Sequence, residues 1–137
     1  MRLFIDTNIL LDVLMEREPF YELSLRIWNY CKEDETYACI SSLTFANIVY
    51  NMRKTLTPSK IEELVSELTK IFDFADLNLA EIIKAAQMHW NDFEDALQSA
   101  AAERVKADYI ITRNVKDFEQ SNIKALTPED FLDLNYK

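Results

Sequence analysis

Three stretches of the chain carry carboxylates that could meet. Leu3-Phe4-Ile5 runs straight into Asp6, which Thr7 and Asn8 follow, and Tyr109-Ile110-Ile111 is followed by Thr112, Arg113, Asn114 and then Asp117. The third is "NDFEDALQSAAAERV". On a helix of ~100° per residue, Asp92, Asp95 and Ser99 share a face while Phe93, Leu97, Ala100 and Ala101 form the buried one, and Glu94 lies ~100° round from Asp95. Two carboxylates about 4 Å apart repel by about 4 kcal/mol at an effective dielectric of roughly 20, so three together protonate or recruit a cation. Hard oxygen donors without sulfur or imidazole suit Mg²⁺ or Mn²⁺, which keep several waters and also bind phosphate oxygens. Such a site polarises a phosphodiester and activates water for in-line attack.

The acids can meet only if the fold brings them together. Short apolar runs at Leu3 to Ile5, Tyr37 to Ile40, Tyr109 to Ile111 and, more weakly, Ile123 to Leu126 read as strands. Helical periods separate them. One runs from Pro19 to near Glu33; a second carries Phe45, Ile48, Val49 and Met52; a third opens at Thr57-Pro58, as N-cap and first helical residue. Asn78 to Glu81 reads as a capping box for a helix striped by Leu79, Ile82, Ile83, Ala86 and Trp90, and Asn91 to Glu94 opens the next. Continuous apolar strands separated by helices predict an α/β fold with a parallel sheet covered on both faces. In such sheets ligands bind beyond the carboxyl ends of the strands, where Asp6 and the Thr112–Asp117 segment both fall.

Each acid also has a purely structural reading. Asp6 is placed to cap a helix beginning at Thr7, Asp92 and Glu94 suit the positive end of a helix dipole, and Asp12 reads as a solvated helix acid or, alternatively, as a group that supports the site from behind.

Composition removes several other chemistries. Cys31 and Cys39 are the only cysteines and His89 the only histidine, too few for a zinc site of about four such ligands, so the thiols are expected to be buried. His89 sits at the end of an apolar helical pattern with no partnered nucleophile in view. The chain has no glycine, which excludes the glycine-rich phosphate loops. Fifteen basic against twenty-four acidic residues give a net charge of −9, which argues against passive binding to nucleic acid and favours a basic or cation-bearing partner. The longest uncharged window, Thr36 to Met52, falls short of the ~20 mainly apolar residues that span a bilayer. The N-terminus leaves no room for a signal-peptide core, so the cytoplasm is the expected compartment.

The stretches "FIDTNILLD", "DFEDALQSAAA", "ADYIITRNVKDF" and "LTPEDFL", in this order, resemble the PIN-domain nucleases, particularly the VapC-type toxin ribonucleases of toxin-antitoxin pairs. The resemblance spans nearly the whole chain. It implies that residues 1–137 form a single PIN-like domain, a three-layer fold whose central parallel sheet has four to five strands. It further implies a Mg²⁺- or Mn²⁺-dependent endoribonuclease in which Asp6, Asp95 and Asp117 are catalytic and hold the metal, with Asp92 beside them. Thr7, Asn8, Thr112, Arg113 and Asn114 would position substrate, metal-associated water or the loop around Asp6. The family usually places a glutamate early in the helix after the second strand, where this chain has Asn47, which can still donate an oxygen and contact substrate but leaves the site one negative charge short. Arg53, Lys54, Arg113 and Lys116 are candidate RNA contacts, Lys54 on the helical face of Asn47, with ordinary surface charge as their alternative. An RNA substrate, a cognate antitoxin and a homodimer are the implied partners, with no membrane.

Two other classes compete. An aspartate-based phosphotransfer protein fits less well, since the second aspartate of a haloacid-dehalogenase-like site is Asn8 here, and the late-strand lysine of a receiver is Thr112. A PIN-like RNA-binding or scaffold protein, catalytically weakened by Asn47, is the non-enzymatic alternative.

Overall fold

The structure, a computed structural model, describes residues 1–135. Five strands form one parallel sheet: β1 (Arg2–Ile5), β2 (Tyr37–Ser41), β3 (Asp73–Ala75), β4 (Tyr109–Ile111) and β5 (Ala125–Leu126), in the order β3-β2-β1-β4-β5. Among the described residues the sheet is accompanied by α1 (Thr7–Leu14), α2 (Tyr21–Tyr30), α3 (Ser42–Asn51), α4 (Pro58–Thr69), α5 (Leu79–Met88), α6 (Phe93–Arg104) and α7 (Pro128–Asn135), and by a 3-10 turn at Val115–Phe118. The expected α/β class and parallel sheet are therefore present. β4 has the expected bounds, and β1, β2 and β5 differ from expectation by one or two residues at an end. β3 was not expected, because only Phe74 and Ala75 of its three residues are apolar and Asp73 is exposed.

Side-chain alternation explains why the central strands carry no polar face. Leu3 and Ile5 enter one apolar cluster with Ile9, Ile27, Ile40 and Ile111, while Phe4 enters the opposite one with Ala101, Ala102, Ile110 and Phe118. Alanines 100, 101 and 102 of α6 are no more than 2% exposed, and their small side chains let the helix lie close against its neighbours.

The chain builds β1, β2 and β3 outward in one direction, then returns to place β4 on the other side of β1. The strand order thus reverses between β1 and β4, the crevice where open parallel sheets bind ligands. Register holds the two strand ends level: Ile5 pairs with Ile111, and the Asp6 N–H donates to the Ile111 carbonyl at 3.0 Å.

Several helix starts follow the sequence. Thr57 caps α4 ahead of Pro58, and the Asn78 side chain accepts from the Glu81 N–H at 3.0 Å. The Glu81 carboxylate is buried and pairs with Arg104 of α6. α6 is capped by Asp92, one residue later than expected. Two predicted faces differ more. Leu79, Ile82 and Ile83 of α5 are 70%, 42% and 48% exposed and Phe93 45%, so the apolar stripe on α5 does not enter the core. His89 ends α5 in the left-handed region, φ 57°, in a chain with no glycine to take that position. Cys31 is buried as expected, whereas Cys39 is half-buried.

Asp12 is the other correction. It is fully buried, against the reading as a solvated helix acid and in line with the alternative of a supporting group, and accepts from Ser24 Oγ at 3.0 Å, Arg113 Nε at 2.8 Å and Arg113 Nη2 at 3.2 Å. The guanidinium also lies 3.8 Å from the centre of the Phe20 ring. This pair ties α1 to the segment after β4. Asp12→Ala leaves a largely buried cation unpaired and is expected to lower the unfolding free energy by about 2–3 kcal/mol, measured by urea denaturation. The figure sits below that of a fully buried pair because the Arg113 side chain keeps 24% of its exposure.

Candidate active site

Asp6 leaves β1 at the reversal point and caps α1. Its carboxylate is only 8% exposed and takes donors from several elements. Oδ2 accepts from Thr112 Oγ1 at 2.8 Å and Asn8 Nδ2 at 3.4 Å; Oδ1 accepts from the Thr7 N–H at 2.9 Å and Gln98 Nε2 at 3.4 Å. Gln98 also accepts from Ser41 Oγ at 2.5 Å and donates to Thr44 Oγ1 at 2.9 Å, and Thr44 Oγ1 lies 2.9 Å from Thr7 Oγ1. Thr112 accepts in turn from the Asn114 N–H at 3.1 Å. One carboxylate thereby joins α1, β2, α3, α6 and the segment after β4.

Sequence reasoning missed Gln98, Ser41 and Thr44. The usable signal was helical: Gln98 follows Asp95 by three residues, and Thr44 precedes Asn47 by three. Ser99, which had been placed on the face of Asp95, is buried and lies 2.7 Å from Ser121 Oγ instead.

Asp95 sits between two clefts. The first, of about 390 Å³, is lined by Asp6, Asn8, Asn47, Tyr50, Glu94 and Gln98 as well as Asp95. The second, of about 310 Å³, is lined by His89, Trp90, Asp92, Lys116 and Asp117 together with Asp95. The structure thus places Asn47 beside Asp6 and Asp95, and Asp92 beside Asp95 and Asp117. Glu94, set apart from Asp95 by helical geometry, reaches the first cleft because it occupies the exposed opening turn of α6. His89 reaches the second because it closes α5 just before that turn.

Asp92 has a structural job: its Oδ1 accepts from the Asp95 N–H at 3.1 Å. Arg113 is in neither cleft. Its guanidinium is held by Asp12 and Phe20, and it is the Arg113 backbone N–H that reaches the site, donating to Asn8 Oδ1 at 3.4 Å. Lys54 falls beyond the last turn of α3, so the helical face that carries Asn47 continues to Tyr50 and Asn51 instead.

The electrostatics follow from this crowding. Burial pushes the Asp6 carboxyl above its ordinary value and Asp117 adds to the shift, while the hydrogen bonds from Thr112, Thr7 and Gln98 oppose it. Asp95 is pushed up to about 7, first by burial and then by the negative fields of Asp92, Asp6, Asp117 and Glu94. Among the described residues no three Asp, Glu, His or Cys side chains converge closely enough to enclose an ion directly. The donor set of carboxylates and amide oxygens fits a hard cation that retains part of its water shell.

The PIN domain family model matches residues 2–116, and the chain belongs to the PIN-domain family. None of the curated proteins compared with the chain matches it in sequence. Among solved structures, a toxin-antitoxin complex from Klebsiella pneumoniae superposes with a TM-score of 0.71 at 21% identity, covering 92% of this chain and 97% of that one. VapBC-1 from nontypeable Haemophilus influenzae gives 0.69 at 17% identity, covering 94% and 99%. The Mycobacterium tuberculosis toxin VapC20, described as cleaving the sarcin-ricin loop, gives 0.64 at 11% identity, covering 79% and 86%. At these identities the likeness establishes the fold.

The raised Asp95 carboxyl has a definite sign in stability. In metal-free protein the folded state binds this proton more tightly than the unfolded state does, so the contribution falls as pH rises from about 4 to about 7. Asp95→Asn removes it. The Tm difference between Asp95→Asn and wild type, measured in EDTA, is expected to be larger at pH 8 than at pH 5; a difference independent of pH would contradict the shift.

Proposed function

We propose that this chain is a divalent-metal-dependent endoribonuclease and the toxin of a toxin-antitoxin pair. The observation that supports the reading is the position of Asp95, which shares one cleft with Asp6 and the adjoining cleft with Asp117, in a chain of the PIN family. Asp6 and Asp95 would hold Mg²⁺ or Mn²⁺ with Asp117, Asp92 lying on the outer side. The ion supplies Lewis acidity to a phosphodiester and makes the attacking water more acidic. Thr112 and Gln98 keep Asp6 oriented through its two oxygens, and Asn8 and Asn114 hold the Thr112 hydroxyl in register. Asp95, with its carboxyl near pH 7, would shed its proton as the ion arrives, so metal binding is expected to tighten as pH rises.

Partners follow from similarity and from surface. The structural neighbours include toxins described in complex with their antitoxins, which supports a cognate antitoxin here. A basic antitoxin segment would suit a net charge of −9. A homodimer would cover the exposed Leu79, Ile82 and Ile83 of α5. No helix among the described residues is long and apolar enough to cross a membrane. A toxin acting on RNA would work in the cytoplasm.

Asn47 favours a second reading, a PIN domain that binds RNA with weakened catalysis, because an amide lines the first cleft where a carboxylate would add charge. One set of measurements separates the two. Purified protein with Mg²⁺ or Mn²⁺ is expected to cleave RNA, with activity lost in EDTA and in Asp6→Asn. Cleavage persisting in either would refute the metal-dependent mechanism, and RNA retained uncut by wild type would favour the binding protein. In parallel, Asn47→Glu is expected to raise Mg²⁺ affinity by roughly tenfold in calorimetry, since one further carboxylate faces the ion. Unchanged affinity would show that residue 47 lies outside the ion's reach.

A further inference from the structure

Tyr50 is an exposed aromatic at the edge of the acids. It is 65% exposed, although it lines the cleft that contains Asp6 and Asp95. It follows Asn47 by three residues on α3, so the two side chains share the face turned to that cleft. The Arg53 guanidinium lies 4.3 Å from the centre of the Tyr50 ring, and its Nη1 donates to the Tyr50 carbonyl at 2.8 Å. One face of the ring is therefore backed by an anchored cation, while most of the remaining surface is open. The Asn47 side-chain amide has no hydrogen-bond partner among the described residues and offers both a donor and an acceptor beside the ring.

Trp90, in the other cleft, differs. It is half-buried and packs edge-on against Phe118 with ring centres 6.3 Å apart, which makes it part of the core. An open aromatic surface with a cation behind it and an uncommitted amide alongside matches one ligand chemistry, a planar heterocycle carrying polar edges and an adjacent negative charge.

We infer that Tyr50 stacks an unpaired nucleobase next to the phosphate presented to Asp6 and Asp95, with Asn47 bonding the base edge and Arg53 neutralising a flanking phosphate. The inference rests on the nuclease reading and specifies its substrate, single-stranded or splayed RNA. A base inside a duplex has both faces covered by its neighbours and cannot lie on the ring.

The test uses Asp6→Asn protein in Mg²⁺ and a single-stranded oligoribonucleotide carrying 2-aminopurine. Binding is expected to quench the 2-aminopurine fluorescence. Tyr50→Ala in that background is expected to abolish the quench and weaken binding roughly 5- to 100-fold, while Tyr50→Phe retains both. A fully paired duplex of the same sequence is expected to bind more weakly and to be insensitive to residue 50. Because Tyr50 is exposed, its variants should keep the wild-type Tm, and a matching circular dichroism melt verifies that the fold is intact. Unchanged affinity and quench in Tyr50→Ala, in protein whose wild type cleaves RNA with metal, overturn the stacking while leaving the nuclease reading in place. Wild-type protein that neither cleaves nor binds RNA overturns the nuclease reading and the inference with it.

Discussion

The carboxylate of Asp6 is drawn below the surface by the strand that precedes it, and much of the surrounding architecture compensates for that burial. An ionised carboxylate in such a place is tolerated only when its oxygens are hydrogen-bonded. Here the donors come from the Thr7 backbone, Asn8, Gln98 and Thr112, which sit on α1, α6 and the end of β4. The sheet topology is what makes this supply possible. Because β4 pairs parallel with β1 and Ile5 is level with Ile111, the residue after one strand meets the residue after the other.

The same requirement explains why polar residues cluster inside an otherwise apolar molecule. Ser41 and Thr44 begin α3 from the end of β2, and their hydroxyls share Gln98 with Asp6. On the opposite side of α1, Asp12, Ser24 and Arg113 form a second buried polar group that fixes the segment carrying Thr112. α1 is thus held by a carboxylate near each end, one facing the cleft and one facing α2. A helix of eight residues has little intrinsic stability, so these attachments, with Ile9, Leu10 and Leu11 in the core, account for its position.

The central strands were legible because burial on both faces leaves a run of apolar residues and nothing else; Tyr109–Ile111 has that form. β3 was not legible, since a three-residue edge strand with Asp73 at its start carries too little pattern to stand out from a loop. Asp6 and Asp117 could be singled out because they stand shortly after apolar runs, and Asp95 because helical spacing sets it on one face with Asp92, all of them local properties. Gln98 and Asp12 could not, because their roles depend on what lies across the fold. Asp12 is flanked by Leu10, Leu11, Val13 and Leu14, so its neighbours do not separate a buried acid from a solvated one, and only the approach of Arg113, 101 residues later, makes burial tolerable. Phe93 and the α5 stripe failed in the opposite direction: helical periodicity identifies an apolar face but does not say that the same chain supplies its cover.

Charge then poses the physical problem that the proposed function has to meet, how a molecule of net charge −9 would admit a polyanion to an acidic crevice. Long-range attraction is unavailable, and at physiological ionic strength fields from the outer surface fade within about 8 Å. What matters is the charge close to the cleft. Lys116 lines the second cleft beside Asp117, and Arg53 stands over Tyr50 at the rim of the first, so each cleft has a cation next to its carboxylates. Asp95 belongs to both clefts and is the carboxylate whose proton is held to about pH 7. Without a cation, burial and the fields of its neighbours keep the Asp95 carboxyl protonated to about pH 7; under the proposed function a bound cation would take the place of that proton and attract phosphate. On that reading, affinity for an anion would be conditional on the ion, because the net negative charge of the rest of the chain offers a polyanion no attraction at range.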